Sequence, residues 1–328
     1  MVIDIVIDMG SENIKILRRG SGLVLNEPAL ALVDKESKKL ALNATGFRAK
    51  KVTSEMLDSC VPVHPIKNAA VSDEEIAVLL FKDFFEKINI QPTFFNRLRV
   101  IALVGCGLTY GDRKVIARVM KKAGASRTYV IDGLFSLYSY ADVKRGFFVD
   151  LGGAAANMGF VSTDGLVAGC QSDLAGNALN ELICNLADSK YSLVIGNRTA
   201  EKVKLASGGL NPEKGRYIPV NGKDKSGGGY ITANISAADI ARCIAELADK
   251  LALLINSVLV SLPEDDYNFV CKNGIHLAGG TANINGLPEY LAEKLKLKVC
   301  VVKDGEEAPA AGGVRFYEEK GFLKKLIK

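Results

Sequence analysis

Histidine is scarce: His64 and His276 are the only two in 328 residues. They are too few and too far apart for a metal site or a nucleophile–histidine–acid triad. Cysteine offers no pattern either. The seven cysteines (Cys60, Cys106, Cys170, Cys184, Cys243, Cys271, Cys300) are odd in number and scattered, with no C-x-x-C. That is reduced, cytosolic usage, neither a disulfide framework nor a zinc site. No long hydrophobic run is present. The longest, "LALLINSVLVSL" (251–262), is too short to span a bilayer and continues an amphipathic helix. The opening "MVIDIVIDMG" has acids inside its apolar run and no basic segment, so no signal peptide is expected there. An excess of one charge is also missing. The net charge of +5 suits an anionic membrane surface but is too weak to imply nucleic acid.

What is present is apolar. Hydrophobic residues make up 48% of the chain, enough for packed cores, and the length is about two domains by the usual prior. "IDIVIDMG" and "NIKILRRG" read as two buried strands around a turn. "GLVLNEPALALVD" and "KLALNATG" add strands. "SDEEIAVLLFKDFFEKI" is a helix, with Ser72 as its cap and acids in its first turn. "RVIALVGC", "GDRKVIARVMKKAGA" and "RTYVIDG" continue as strand, helix and strand, which predicts α/β layers. After residue 146 strands return ("GFFVDLG", "ANMGFVS", "GLVAGCQSD"), followed by helices around 176–206. A Gly- and Lys-rich hairpin, a helix from Ser236 to about Leu262, strand "GIHLAG" and helix "LPEYLAEKLK" complete the pattern.

One echo organises the rest. "VIDMGSENIKI" and "FVDLGGAAANMGF" are both strand, Asp, one residue, Gly, turn and strand. Adding 142 to Asp8 gives Asp150, and adding it to Gly10 gives Gly152. A fold duplicated once per half explains this, though two buried hairpins sharing D-x-G turns by chance would look the same. In the duplicated reading the two turns clamp a polyphosphate. Backbone N–H groups aim at phosphate oxygens, and glycine is needed because a Cβ would block the approach. Asp8 and Asp150 would face one Mg²⁺, which keeps its own waters and needs only one or two carboxylates. Lys15 would neutralise a phosphate as a point charge. A third element, "HLAGGTANINGLPEYL" (276–291), ends a strand in Gly279-Gly280. Such glycines let a flat ring lie against the backbone ahead of a helix.

These motifs, taken in order, resemble the actin superfamily, and most closely the bacterial cell-shape actins of the MreB family. The resemblance runs from "IDMGSENIKI" to "APAAGGVRFYEE". It includes "SDLAGNALNELI" (172–183), "GNRTAEKVK" (196–204) and "YVIDGLFSLYSYADV". It implies an α/β, actin-like (ribonuclease H-like duplicated) fold: two lobes, each with a mixed five-stranded sheet flanked by helices, and a nucleotide cleft between them. The implied first lobe is 1–145, with a small insertion at about 30–75. The second is 146–305, with an insertion at about 180–240, and a C-terminal helix (306–328) returns to the first lobe. ATP or ADP with Mg²⁺ is the implied ligand. Gly10, Ser11, Glu12, Asn13 and Lys15 would form the first phosphate site. Gly152, Gly153 and Ala154 would form the second loop, with Asp8 and Asp150 facing the metal. Gly176 would sit under the ribose, and Glu201 and Lys204 would bracket ribose and adenine. Gly279, Gly280 and Thr281 would close the adenosine pocket. Without the resemblance, Glu201 and Lys204 at i and i+3 read as a solvated helix face.

Two departures bear on hydrolysis. Asp132 stands where actin has a glutamine and MreB a glutamate that serves the attacking water. It can still position or activate water, but it is one methylene shorter, and a displacement of about 1 Å can cost roughly 10²-fold. MreB continues its second loop with a third glycine, two threonines and a glutamate, where this chain has Ala154, Ala155, Ala156 and Asn157. Losing one positioned hydroxyl costs on the order of 10²–10³ in rate, while backbone amides survive the change. Ala154 also lacks glycine's freedom at positive φ. The expectation is ATP binding with slow hydrolysis.

The resemblance further implies self-assembly into filaments at the inner face of the cell membrane, with other MreB paralogues and cell-wall synthesis membrane proteins as partners. Phe94 and Phe95, in a turn beside Arg97 and Arg99, occupy the place of a membrane-inserting loop, and Lys324, Lys325 and Lys328 form a basic tail. The alternative for the phenylalanines is a fold back into the core. Two other functions compete: a nucleotide-binding scaffold or regulatory paralogue, and a sugar or acetate kinase or chaperone ATPase on the same fold. With the sequence ending at Lys328 no peptide-binding domain is expected, and no acidic substrate motif marks a kinase.

Overall fold

The computed structural model describes residues 2–37, 40–51, 58–67, 69–90, 96–305 and 307–318. The chain divides into two compact units, one formed by Met1–Lys144 with the segment from Glu307 onward, the other by Arg145–Glu306.

The first unit begins β1 (Val2–Met9), β2 (Asn13–Arg18), β3 (Gly22–Pro28), β4 (Ala31–Asp34), β5 (Leu40–Thr45), α1 (Phe47–Lys50), β6 (Cys60–Val63), β7 (Ile66–Lys67) and β8 (Ala70–Val71). It continues with α2 (Glu74–Lys87), β9 (Arg97–Val104), α3 (Tyr110–Ala123), β10 (Arg127–Asp132) and α4 (Gly133–Ala141). The main sheet has the order β10-β9-β1-β2-β3, beside small sheets β5-β4-β6 and β7-β8. β1 and β9 are nearly continuous apolar runs because both faces are covered, as in parallel sheets; Ile5, Val6, Ile7, Val100, Ile101 and Ala102 are all fully buried. α2 lays Leu80, Phe81, Phe84 and Phe85 into this core. Its cap differs from expectation. Asp73, not Ser72, accepts from the Ile76 N–H (3.0 Å), and Ser72 Oγ donates instead to the His64 carbonyl (2.9 Å). A carboxylate one residue later meets the helix N-terminus with a full charge, which the macrodipole favours over a hydroxyl. α3 opens on a Thr109–Asp112 capping box and stops at Gly124 in the left-handed region.

The second unit contains β11 (Arg145–Leu151), β12 (Ala156–Ser162), β13 (Gly165–Ser172), α5 (Gly176–Tyr191), β14 (Leu193–Val194), α6 (Asn197–Ala206), β15 (Tyr217–Asp224) and β16 (Tyr230–Ser236). α7 (Ala237–Val260), α8 (Glu264–Asn273), β17 (Ile275–Ala278), a 3₁₀ turn (Gly280–Asn283), α9 (Leu287–Leu295) and β18 (Val299–Val301) follow. Its main sheet reads β18-β17-β11-β12-β13, with β14-β15-β16 as a smaller sheet. Phe147, Val149, Leu151, Met158 and Phe160 pack with the apolar stripes of α5 and α7; each such side chain contributes about 1.5–3 kcal/mol on burial.

The two main sheets share one topology. β1 pairs antiparallel with β2 and parallel with β9, and β11 pairs antiparallel with β12 and parallel with β17. The third strand is antiparallel and the fifth parallel in each. The offset of 142 survives to single pairs: Asp8 opposes Lys15, and Asp150 opposes Asn157. The duplication is real.

The last described helix, α10 (Ala308–Arg315), packs on α4 and β1. A Cβ on Gly312 would collide with the Ser136 carbonyl, and one on Gly313 would come within 2.6 Å of Val6, so these glycines set the approach. Beyond α10, the Tyr317 hydroxyl lies 3.0 Å from the Ile5 carbonyl and 3.1 Å from that of Arg99.

Candidate functional site

In the first unit the candidate residues gather at the carboxyl ends of the parallel strands, where open α/β sheets bind ligands. Asp132 ends β10 opposite Val104, and Asp8, near the end of β1, lies opposite Leu103 on one side and Lys15 on the other. Strands lie about 4.8 Å apart, so Asp132 and Asp8 stand about 10 Å apart along this edge. Gly10 opens the turn between β1 and β2. A Cβ there would strike the Asn13 carbonyl, so the tight hairpin, not a left-handed φ, requires glycine. In that turn Ser11 Oγ accepts from the Ala69 N–H (3.2 Å), and the Glu12 carbonyl accepts from the Ala29 N–H (2.9 Å). Asn13 is exposed, whereas Lys15 is buried, with 7% exposure.

Asp132 carries a feature invisible in the sequence. Arg113 of α3 donates Nη2 to its Oδ1 at 2.6 Å, with Nη1 3.4 Å from the Val130 carbonyl. One carboxylate oxygen is therefore held by a guanidinium, and the side chain forms no cap on α4. A carboxylate so held is well placed to orient a water.

In the second unit three separate motifs meet. The turn after β11 closes with the Gly152 N–H donating to the Ala155 carbonyl (3.0 Å). The Gly176 and Asn177 N–H groups, at the start of α5, donate to the carbonyls of Gly152 (3.1 Å) and Gly153 (2.7 Å). A helix N-terminus leaves such donors unsatisfied; here the phosphate-loop candidate itself caps them. Thr281 Oγ1 donates to the same Gly152 carbonyl at 2.8 Å. A Cβ on Gly176 would meet Thr281 Oγ1 at 3.0 Å and Gly153 Cα at 3.4 Å. Gly279 has φ +92°, and a Cβ there would collide with the Leu151 carbonyl and come within 2.7 Å of Asp150 Oδ1. Gly280 starts the 3₁₀ turn that carries Thr281. The N–H groups of Gly153 and Ala154 have no hydrogen-bond partner among the described residues. None of residues 152–155 has positive φ, so Ala154 sits without backbone strain.

The helix-face reading of Glu201 and Lys204 gives way to a different arrangement. Lys204 is buried and donates to Glu201 Oε2 at 2.5 Å, with the Gly176 carbonyl 3.4 Å away. Asn180, which sequence reasoning missed, donates Nδ2 to that same oxygen at 2.8 Å. Its signal was legible: buried Gly176, Leu179, Ile183 and Ala187 mark the core stripe of α5, and Asn180 is the amide within it. Arg113 had no comparable signal. His276 stacks on Phe148 with ring centroids 4.9 Å apart, and burial, with Lys298 nearby, pushes its pKa down.

Phe94 and Phe95 lie outside the described residues, as do Lys324, Lys325 and Lys328. Among the described residues no helix is long and apolar enough to cross a membrane, and no group of three or more His, Cys, Asp or Glu side chains could hold a metal.

Two sheets of one topology, each opening on an Asp-x-Gly hairpin, define an actin-like fold. Solved structures agree. MreB 5 of Spiroplasma citri bound to AMPPNP matches with a TM-score of 0.89 at 24% identity, covering 100% of this chain and 98% of that one. A MamK double helical filament matches at 0.79 and 17% identity, covering 97% and 99%. The MreB/Mbl protein family model spans residues 2–325, and the chain belongs to that family. The cell shape-determining protein Mbl of Bacillus subtilis (strain 168) is 26% identical over 315 residues, 94% of each chain. MreB of Escherichia coli (strain K12) is 24% identical over 326 residues, 96% of this chain and 93% of its own.

Proposed function

We propose that this chain is an actin-like cytoskeletal protein that binds adenine nucleotide, assembles with copies of itself into filaments and takes part in setting cell shape. Family membership over nearly the whole chain supports this reading. The observation that carries nucleotide binding is the second-unit network, in which Gly152, Gly153, Gly176, Gly279 and Thr281 meet around backbone N–H groups without protein partners. Such groups beside close-packed glycines fit an anionic phosphate. S. citri MreB 5 has been solved with AMPPNP and with ADP. Asp150, Gly152, Gly153, Ala154, Gly176, Glu201, Lys204, Gly279, Gly280 and Thr281 are the binding residues of the second unit. Asp8, Gly10, Ser11, Glu12, Asn13 and Lys15 contribute from the first. Asp8 and Asp150 would be the carboxylates that hold Mg²⁺, which would supply neutralisation of phosphate charge.

Hydrolysis is slow in this reading. Ala154, Ala155 and Ala156 bring no hydroxyl, and Arg113 occupies one oxygen of Asp132, whose role is to orient water. Both features also favour the second reading, a scaffold paralogue that binds nucleotide without cycling quickly. Phe94 and Phe95 are proposed to touch the inner membrane surface, where other MreB paralogues and cell-wall synthesis proteins are the candidate partners.

Pelleting with and without ATP and liposomes, with phosphate release followed alongside, tests the whole. ATP-dependent pelleting is expected, with Asp132→Ala lowering phosphate release by about 10²-fold while pelleting persists. Liposome co-sedimentation should fall when Phe94 and Phe95 are both changed to serine. A chain that neither binds ATP nor pellets sinks the proposal.

A further inference from the structure

Glu201 rests on a buried pair of donors, and one of them is held in place against its own interest. Asn180 (3% exposed) gives Nδ2 to Glu201 Oε2 at 2.8 Å, and Lys204 (8% exposed) gives Nζ to the same oxygen at 2.5 Å. The Glu201 side chain is 43% exposed. Its Oε2 is thus engaged by groups buried beneath it, and Oε1 is left as the acceptor to offer a ligand. The other end of the amide is anomalous. Asn180 Oδ1 is buried and has no hydrogen-bond partner, a state native structures rarely tolerate. Rotating the amide by half a turn would not relieve it, because Oδ1 would then face the Glu201 carboxylate at the distance now bridged by an N–H. Glu201 therefore dictates the orientation of Asn180, and an unpaired buried carbonyl is the consequence.

We propose that Asn180 is a positioning residue that fixes the Glu201 carboxylate to accept a ribose hydroxyl, and so gives the site its preference for a ribonucleotide. This rests on the nucleotide-binding reading of the second unit. Lys204 alone would neutralise Glu201, but an ammonium on a flexible stem is a weak guide to orientation. The amide comes from a neighbouring helix, and donors from α5 and α6 together define the plane in which Oε1 is presented. Asn180 touches no ligand atom in this proposal.

The test compares calorimetric affinities for ATP and 2′,3′-dideoxyATP, which lacks both ribose hydroxyls. The full chain prefers ATP by about tenfold or more, the scale of a hydrogen bond to a charged acceptor. Asn180→Ala brings that preference below about threefold by weakening ATP alone, with dideoxyATP bound as before. Asn180→Asp, which keeps the shape but sets a second carboxylate against Glu201, does the same at neutral pH and decides the matter if the alanine variant does not fold. Glu201→Gln also collapses the preference. If Glu201→Gln collapses it and both Asn180 variants keep it, the ribose contact stands and the role of Asn180 is overturned. If the unaltered chain binds both nucleotides equally, or Glu201→Gln keeps the preference, Glu201 is not the ribose acceptor and the inference falls. If the chain binds neither, the nucleotide reading itself is wrong.

Discussion

The hairpins that open the two units follow one plan and are equipped differently. Across the ladder Asp8 faces Lys15 in the first, and Asp150 faces Asn157 in the second. The first hairpin brings a buried cation opposite its acid. The second brings a neutral amide, with two other segments, the start of α5 and Gly279–Thr281, packed against its turn. Register conserves which positions oppose one another, because a slip of one residue would turn every side chain to the wrong face. The chemistry placed at those positions is free to diverge. One copy sets a cation opposite its acid, the other an amide.

This contrast breaks most readily at a glycine. Gly279 combines φ +92° with a collision course toward Leu151, whereas Gly10 has only the collision with Asn13. Gly279→Ala is expected to cost about 3 kcal/mol or more and to abolish ATP binding. Gly10→Ala should cost less, and urea unfolding with ATP titration ranks them. A costlier Gly10→Ala would mean that the first turn, not the second, is the rigid one. Next in size is the opposed pair. Removing the ammonium in Lys15→Ala should weaken ATP by about 10- to 100-fold, as loss of a charge-assisted bond does. Asn157→Ala should change it by less than about threefold, within the range of a neutral hydrogen bond. Equal losses would show that the second hairpin contributes through its side chain after all.

The smallest effect is one of pH. Burial disfavours the charged form of His276, lowering its pKa below the ordinary 6.5. The native second unit binds fewer protons than its unfolded form, so its stability is full above about 6.5 and declines as pH falls through that value. In the first unit the Glu74 carboxyl is held at about 2 by Arg118 and Lys122, so its contribution is present above 4.5 and is lost only as pH falls toward 2. Between pH 6.5 and 5 amide exchange should therefore loosen in the second unit first, and His276→Phe should remove the difference.

Much of this was legible in the sequence for physical reasons. Glycines that a Cβ would jam, and aspartates ending buried strands, leave a pattern in a single chain. The offset of 142 between two Asp-x-Gly turns therefore already carried the duplication, down to Asp8–Lys15 and Asp150–Asn157. What stayed hidden depends on partners distant in sequence. Nothing near Asp132 announces that Arg113, 19 residues earlier, will occupy its oxygen. Without the resemblance, Glu201 and Lys204 read as a solvated face, because helix spacing says nothing of what covers it. The cover is α5, whose Asn180 and Gly176 carbonyl meet them. Ala154 looked strained only on the assumption that its turn needed positive φ, and the backbone there is ordinary.

α10 has a consequence for the order in which the molecule is made. The first unit is closed by residues 308–317, where Gly313 meets Val6 and Tyr317 reaches Ile5 and Arg99. Those residues leave the ribosome after all of Arg145–Glu306. The second unit, contiguous in the chain, has every strand of its sheet in hand while the first still lacks its last helix. Domains ordinarily complete themselves from the N-terminus onward during synthesis. Here the half that is begun first is finished last, closed by a segment that follows the whole of the other unit in sequence.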